Sequence, residues 1–195
     1  MKNFWQTIPK PFFVVAPMAD VTDAAFRRML ATYGKPDVMW TEFVSADGLA
    51  LAPEEGRKKL LADLIYDDEE RPIVAQLFSS NEDHMEAAAR LCAELGFDGI
   101  DINMGCPVRK VVKTGGGSAM MTELDKTQSL VRGMVEALKI PVTAKMRLGW
   151  DDQNLTAPDL ARTLADAGIA AIFVHGRTRA QGFEGTVNLD GIRKV

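Results

Sequence analysis

The sequence has few cysteines and no long apolar run. Two cysteines, Cys92 and Cys106, occur in 195 residues, which is too few for a disulfide framework and predicts reduced thiols. No segment reaches the ~20 consecutive apolar residues that span a bilayer. The N-terminal residues also lack the apolar region and cleavage site of a signal peptide. We therefore predict a cytoplasmic protein that does not bind membranes.

Aromatic residues make up only 7% of the chain, but 47% of its residues are hydrophobic, as in an ordinary globular domain. The formal net charge of −4 gives no general affinity for nucleic acid. Residues 102 to 121 nevertheless contain Arg109, Lys110 and Lys113 and no carboxylate, which predicts a local basic patch. No cluster of histidine, cysteine and carboxylate residues has metal-ligand spacing, so we predict no metal site.

Short β-rich segments alternate with amphipathic helical segments. Predicted strands cover residues 12–16, 36–44, 71–78, 98–103, 140–148 and 170–176. Helices are predicted over 23–33, capped by Thr22 and ended by Gly34, and after Ser80 and Asn81, which are both candidate caps. Further helices are predicted from 124 and from about 156. This alternation predicts an α/β fold with parallel strands and right-handed crossovers.

Polar residues distinguish a closed barrel from an open sheet. In a (β/α)8 TIM barrel the active-site residues lie at the carboxyl ends of the strands. Five polar residues fall near the carboxyl ends of four predicted strands: Gln76, Asn103, Lys145, Arg147 and His175. An open doubly wound sheet usually carries a glycine fingerprint after its first strand, but here that strand ends in APMADVTD. We predict a (β/α)8 barrel, of which about six βα units are present.

The two cysteines differ in context. Cys92 lies on the apolar stripe of a predicted helix and is interpreted as structural, whereas Cys106 follows the fourth strand in the loop GCPVRKVVKTGGG. A nucleophilic thiol needs a neighbouring base or cation, which Arg109 and Lys110 supply only if they point inward. A thiol that acts as a general acid needs only to keep its proton. The sequence therefore leaves both roles of Cys106 open, nucleophile and general acid. The three glycines are equally consistent with a flexible lid and with a phosphate cradle.

Lys145 and Arg147 alternate with apolar residues and project to one side of the fifth predicted strand. Two cations inside a barrel are costly unless an anion or an electron-rich ligand meets them. His175 ends the sixth predicted strand next to the basic turn of Arg177 and Arg179, which makes it a ligand candidate.

Six strings in order along the chain resemble the tRNA-dihydrouridine synthases, which are flavin-dependent enzymes with an aldolase-type TIM barrel. The strings are APMADVTD, QLF, INMGCP, KTGGGSAMM, KMRLG and HGRTR, and they extend from residue 16 to residue 179. The resemblance implies reduction of a tRNA uridine to 5,6-dihydrouridine by tightly bound FMN, with NADPH as reductant. The flavin would pass a hydride to C6 of the uracil and Cys106 would protonate C5 as general acid.

The resemblance also implies roles for individual residues. The implied FMN-binding residues are Pro17, Met18, Ala19, Gln76, Lys145 and His175. Asn103 is implied to hold the target uracil, and Arg147 lies near cofactor and substrate in the family. A uracil drawn out of folded RNA also calls for cations around its pocket, and the candidates are Arg109, Lys110, Lys113, Arg177 and Arg179.

Residues 1–195 are expected to form an FMN-binding TIM-barrel catalytic domain that is truncated at its C-terminal end. We expect the helical tRNA-binding domain that follows in the family to lie outside these residues, and therefore expect this chain not to be fully active alone. Three alternatives remain open: a dihydroorotate dehydrogenase-like flavoprotein that acts on a free pyrimidine, a non-catalytic flavin- or RNA-binding relative, and a Schiff-base aldolase that uses Lys145.

Overall fold

The computed structural model describes residues 3–195 as alternating strands and helices. Five parallel strands form one sheet in chain order: β1 (Met39–Ser45), β2 (Ile73–Phe78), β3 (Gly99–Met104), β4 (Val142–Arg147) and β5 (Ala171–His175). The helices are α1 (Ala24–Tyr33), α2 (Ala46–Leu51), α3 (Glu54–Ala62), α4 (Glu82–Glu94), α5 (Arg109–Lys113), α6 (Leu124–Ala137), α7 (Ala157–Asp166) and α8 (Leu189–Arg193). Short 3-10 helices lie at Phe4–Gln6, Asp68–Glu70 and Gly117–Thr122. The predicted α/β class is confirmed, and the architecture is that of a partial barrel.

The first predicted strand, residues 12–16, is reduced to a single bridge between Val14 and Val38. A few flanking backbone hydrogen bonds, such as Val15 N–H to the Val38 carbonyl at 3.1 Å, continue the parallel pairing. Pro11 and Pro17 bracket the segment and have no N–H to donate, which limits how far a ladder can extend. Residues 3–195 therefore contain five strands where the sequence predicts six.

Side-chain caps determine where the helices begin. Asp23, and not the predicted Thr22, caps α1 by accepting from the Phe26 N–H at 2.8 Å. The Thr22 hydroxyl instead accepts a hydrogen bond from the Met18 N–H and donates one to the Met18 carbonyl. Gly34 ends α1 as predicted. Of the two candidates before α4, Asn81 is the cap.

One face of the sheet packs against the helices and forms the main core. Alternate strand residues are fully buried there, including Ile73, Leu77, Ile100, Ile102 and Met146. Burial of each such side chain contributes ~1.5–3 kcal/mol to folding. Cys92 belongs to this core and is fully buried, and burial raises its pKa to about 12. Its predicted structural role is confirmed.

The other face of the sheet forms the interior of the partial barrel. Its amino-terminal end is apolar: Trp40 of β1 and Phe173 of β5 meet at a ring-centroid distance of 4.9 Å, and Trp5 packs on both. Its carboxyl-terminal end is polar, because the register pairs Gln76 with Asp101 and Arg147 with His175. The polar residues therefore occupy the carboxyl-terminal end of the interior, and the aromatic cluster occupies the other end. No helix among the described residues is long and apolar enough to cross a membrane.

Candidate functional site

Asn103, near the end of β3, shapes the turn that carries Cys106. Its Oδ1 accepts from the Cys106 N–H at 2.9 Å and from the Gly105 N–H at 3.1 Å. Asparagine side chains commonly organise turns in this way, by accepting from backbone N–H groups two or three residues ahead. The amide Nδ2 donates to Gln76 Oε1 at 3.0 Å, so the turn is fixed to the neighbouring strand β2.

The glycine segment supports this turn from beneath. The Ser118 N–H donates to the Cys106 carbonyl at 3.0 Å, and Gly116 and Gly117 are buried. Gly117 has a φ of +58°, and a Cβ there would lie 2.8 Å from the Cys106 carbonyl oxygen. The glycines thus permit close packing. The lid and the phosphate cradle, the two interpretations from the sequence, both stay predictions.

The Cys106 side chain is 9% exposed. Burial raises its pKa, partly opposed by the Val108 backbone N–H and the positive charge of Arg147. The cation that favours the thiolate is therefore Arg147, whereas Arg109 and Lys110 are exposed on α5. A thiol with a raised pKa keeps its proton at neutral pH, which suits an acid better than a nucleophile.

We expect alkylation of Cys106 by iodoacetamide to rise with pH to a midpoint above that of an ordinary cysteine, because the thiolate reacts and burial disfavours it. The test is mass-spectrometric labelling of the folded protein across pH, with buried Cys92 as the internal unreactive thiol. A midpoint below the ordinary range would show an activated thiolate and contradict this assignment.

Lys145 lies inside the partial barrel on β4. Burial lowers the pKa of its ammonium, Asp101 opposes that shift, and Arg147 adds to it. Among residues 3–195 the Lys145 ammonium makes no hydrogen bond or ion pair with another side chain. Asp101, whose charge acts on it, is hydrogen bonded to Gln76 and Thr143. Its donors are free to meet a ligand.

Arg147 is almost completely buried, at 3% exposure. Its Nε donates to the Gly105 carbonyl at 2.8 Å, and its Nη1 donates to Thr178 and Gly182 carbonyls at 3.1 and 2.7 Å. Sequence reasoning required an anion or a ligand beside this cation, but backbone carbonyls supply part of its solvation. Arg147 therefore clamps the Cys106 turn to the loop after β5, and the predicted contact with substrate remains a prediction.

His175 is held in its neutral form. Burial lowers its pKa to about 4, and the positive charges of Arg147, Lys145 and Arg177 act in the same direction. The Arg177 Nη1 lies 3.4 Å from His175 Nε2, while its other donors reach the carbonyls of Glu184 and Gly185. A neutral imidazole beside cations can accept a hydrogen bond from a ligand without adding charge.

In an NMR titration we expect the His175 ring to stay neutral down to a pH midpoint of about 4. Because the unfolded chain takes up this proton first, at pH ~6.5, the folded state loses stability as the pH falls from there towards 4. His175→Gln identifies the resonance and removes this part of the acid sensitivity. A midpoint near 6.5 would contradict the half-buried, cation-flanked environment.

The remaining predicted residues lie at the periphery. The loop of Pro17, Met18 and Ala19 follows the Val14 bridge, with Met18 44% exposed. The Asp20 N–H hydrogen bonds to Glu42 of β1, which holds this loop beside β1. The structure thus brings Gln76, Asn103, Cys106, Lys145, Arg147 and His175 together and leaves Arg109 and Lys110 on the surface. Among residues 3–195, no three histidine, cysteine or acidic side chains are arranged to hold a metal ion.

Sequence reasoning missed Asp101, which is fully buried and accepts a hydrogen bond from Gln76. Burial raises its pKa to about 6, opposed by hydrogen bonds from Gln76 and Thr143 and by the charge of Lys145. The signal was the period of two along β3, which puts Asp101 on the same face as Asn103.

Comparisons with known proteins agree with the geometry. Residues 14–195 match the family described as Dihydrouridine synthase (Dus). The chain is 39% identical to the Probable tRNA-dihydrouridine synthase 1 of Synechocystis sp., covering 92% of this chain and 49% of that protein. It is 42% identical to the Probable tRNA-dihydrouridine synthase of Rhizobium leguminosarum bv. phaseoli, covering 93% and 56%.

This chain spans about half the length of the curated relatives it matches. Among solved structures, the carboxyl transferase domain of Rhizobium etli pyruvate carboxylase with 3-bromopyruvate matches 87% of this chain and 29% of that one, at 13% identity and a TM-score of 0.51. That likeness concerns the fold alone. From the match over residues 14–195 and the identity to its relatives, the chain belongs to the dihydrouridine synthase family.

Proposed function

We propose that this chain forms the catalytic part of a tRNA-dihydrouridine synthase, which reduces the C5–C6 double bond of a tRNA uridine with FMN and NAD(P)H. The observation that carries the proposal is the buried Cys106 thiol, whose pKa is raised. Cys106 lies in a turn that is held by Asn103 of β3. The neighbouring strand β4 carries Lys145. A group that keeps its proton at neutral pH and is held in a fixed position is what a general acid requires.

The interior suits a flavin. The side chains in the interior of the partial barrel include Lys145, whose ammonium has no side-chain partner among residues 3–195, and the neutral ring of His175. A reduced isoalloxazine ring is electron-rich and has carbonyl and ring-nitrogen acceptors, which match a free ammonium donor. Gln76 and the loop of residues 17–19 complete the proposed FMN-binding set. Bound FMN, once reduced by NADPH, would supply the hydride that C6 of the uracil receives.

The protein supplies the other half of the reduction. Cys106 would give its proton to C5 and recover one from solvent, so that one hydride and one proton saturate the double bond. Two of the hydrogen-bonding sites of Asn103 are occupied by the Cys106 turn and by Gln76. Its second amide hydrogen is left to meet the uracil.

Exposed cations would hold the RNA. Arg109, Lys110 and Lys113 are exposed on α5, the short helix that follows Cys106. Extruding a base costs a few kcal/mol, and contacts between cations and phosphates offset that cost. With tRNA as substrate and NADPH as reductant, the protein would act in the cytoplasm.

The visible absorbance spectrum of the full-length protein tests the proposal. We expect a flavin band that bleaches with NADPH and recovers without oxygen when unmodified tRNA is added. Recovery with free orotate instead of tRNA would favour the dihydroorotate dehydrogenase-like alternative. Absence of flavin even after FMN is added would contradict the proposal.

A further inference from the structure

A chain of buried hydrogen bonds runs from β4 to the Cys106 turn. Thr143 Oγ1 donates to Asp101 Oδ1 at 2.5 Å, and Gln76 Nε2 donates to Asp101 Oδ2 at 2.6 Å. Gln76 Oε1 accepts from Asn103, which in turn accepts from the Cys106 N–H. We call the side chains of Thr143, Asp101, Gln76 and Asn103 the relay. Each is at most 7% exposed.

The direction of each hydrogen bond follows from the carboxylate. An ionised carboxylate only accepts, whereas the amide of Gln76 or Asn103 can turn either its oxygen or its nitrogen to a neighbour. Facing Asp101, Gln76 must present its NH2 group, so its oxygen faces Asn103. Asn103 must then present its own NH2 group to Gln76, which leaves its oxygen for the backbone N–H groups of the turn. One acceptor-only group thus sets both amide orientations.

The reversed arrangement would be costly. If Gln76 presented its oxygen to Asp101, two acceptors would face each other across a buried contact. If Asn103 reversed as well, its NH2 group would face the N–H groups of Gly105 and Cys106. Buried polar groups left without partners cost ~1–3 kcal/mol each, and a network with one wrong orientation loses several bonds at once.

We infer that Asp101 is a positioning residue, which fixes the amide orientations of Gln76 and Asn103 and thereby the Cys106 turn. In naming Cys106 as the proton donor to be positioned, this rests on the proposed function. Asp101 itself does not reach the thiol, because Gln76 and Asn103 lie between them.

The test compares Asp101→Leu with Asp101→Asn. Leucine removes the acceptor. Asparagine can keep the relay, since its oxygen can accept from Gln76 while its NH2 group donates to Thr143, whose hydroxyl already lies 3.3 Å from the Ile100 carbonyl and can donate there. Both variants lose the negative charge beside Lys145, so any difference between them reports orientation and not charge.

The readout is the rate of Cys106 alkylation by iodoacetamide in the full-length protein, which needs neither FMN nor tRNA. A failure of the relay is therefore distinguishable from a failure of the proposed function, which the flavin spectrum reports. We expect Asp101→Leu to accelerate alkylation ~10-fold, the effect of losing about one hydrogen bond that holds the turn closed. Asp101→Asn should stay within ~2-fold of the native rate.

Asp98→Asn is the matched control, because Asp98 lies just before β3 and accepts from Arg71 and the Ile73 N–H. It should lower stability without changing the alkylation rate. Asp101→Ala is a second variant, expected to accelerate alkylation in the same direction if the leucine variant does not fold. The inference would be overturned if Cys106 were alkylated at the native rate in both Asp101→Leu and Asp101→Ala. It would also be overturned if Asp101→Asn or Asp98→Asn accelerated alkylation as much as Asp101→Leu.

Discussion

Cys106→Ala is expected to slow uridine reduction by ~10²–10⁴-fold, the contribution typical of a general acid. The reason is that the product needs a proton at C5 and the buried thiol is the group placed to give it. FMN binding and bleaching of the flavin by NADPH should be unchanged, because the flavin contacts proposed above use other residues. Stopped-flow absorbance with unmodified tRNA measures both steps.

Cys92→Ala is the matched control for this variant. Cys92 is the other thiol of the chain and lies in the main core, away from the relay. Its removal should lower the free energy of unfolding and leave the rate of uridine reduction unchanged. If Cys106→Ala re-oxidised the flavin with tRNA at the native rate, Cys106 would not be the acid.

Gly117→Ala is expected to destabilise the fold by the ~1–2 kcal/mol cost of a non-glycine residue in the left-handed conformation plus ~1–3 kcal/mol for the steric overlap of the added methyl group, and to displace the Cys106 turn. At a φ of +58°, the added methyl would lie 2.8 Å from the Cys106 carbonyl and 2.9 Å from Val111 Cγ1. The carbonyl must shift, so we also expect slower uridine reduction. Urea denaturation and single-turnover kinetics measure the two effects.

Gly182→Ala separates backbone strain from steric contact. Gly182 has the same φ of +58°, but a Cβ there would meet nothing within 4 Å. Its loss of stability should reflect the left-handed conformation alone, ~1–2 kcal/mol. Equal destabilisation by both substitutions would show that Gly117 is not needed to let the Cys106 turn pack closely.

Much of the fold follows from local pattern. The period of two along β2, β3 and β4 separates core residues from interior residues, and for this reason Gln76, Asn103 and Lys145 could be placed at one end of a sheet in advance. The prediction of a first strand over residues 12–16 was wrong in extent, because this β-rich segment is bounded by two prolines that limit its pairing. Thr22 and Asp23 are both good helix caps by composition, and the contact of Thr22 with Met18 decides between them.

The roles of buried charges could not be obtained from the sequence. The backbone carbonyls that accept from Arg147 lie more than 30 residues away in one direction and more than 40 in the other, so the alternation along β4 could place this cation in the interior but could not show what solvates it. The role of the Cys106 thiol likewise depended on its burial, which the glycine- and charge-rich loop did not indicate. Asp101 was visible as a period-two neighbour of Asn103, but its function depends on which way two amides turn.

The most direct test of the account is nucleoside analysis of unmodified tRNA after incubation with the full-length protein, FMN and NADPH without oxygen. We predict that one or more uridines become heavier by two hydrogens, and that this product is lost in Cys106→Ala while NADPH still bleaches the flavin. Flavin that is bound and reduced while every uridine of the tRNA remains unchanged would contradict the account.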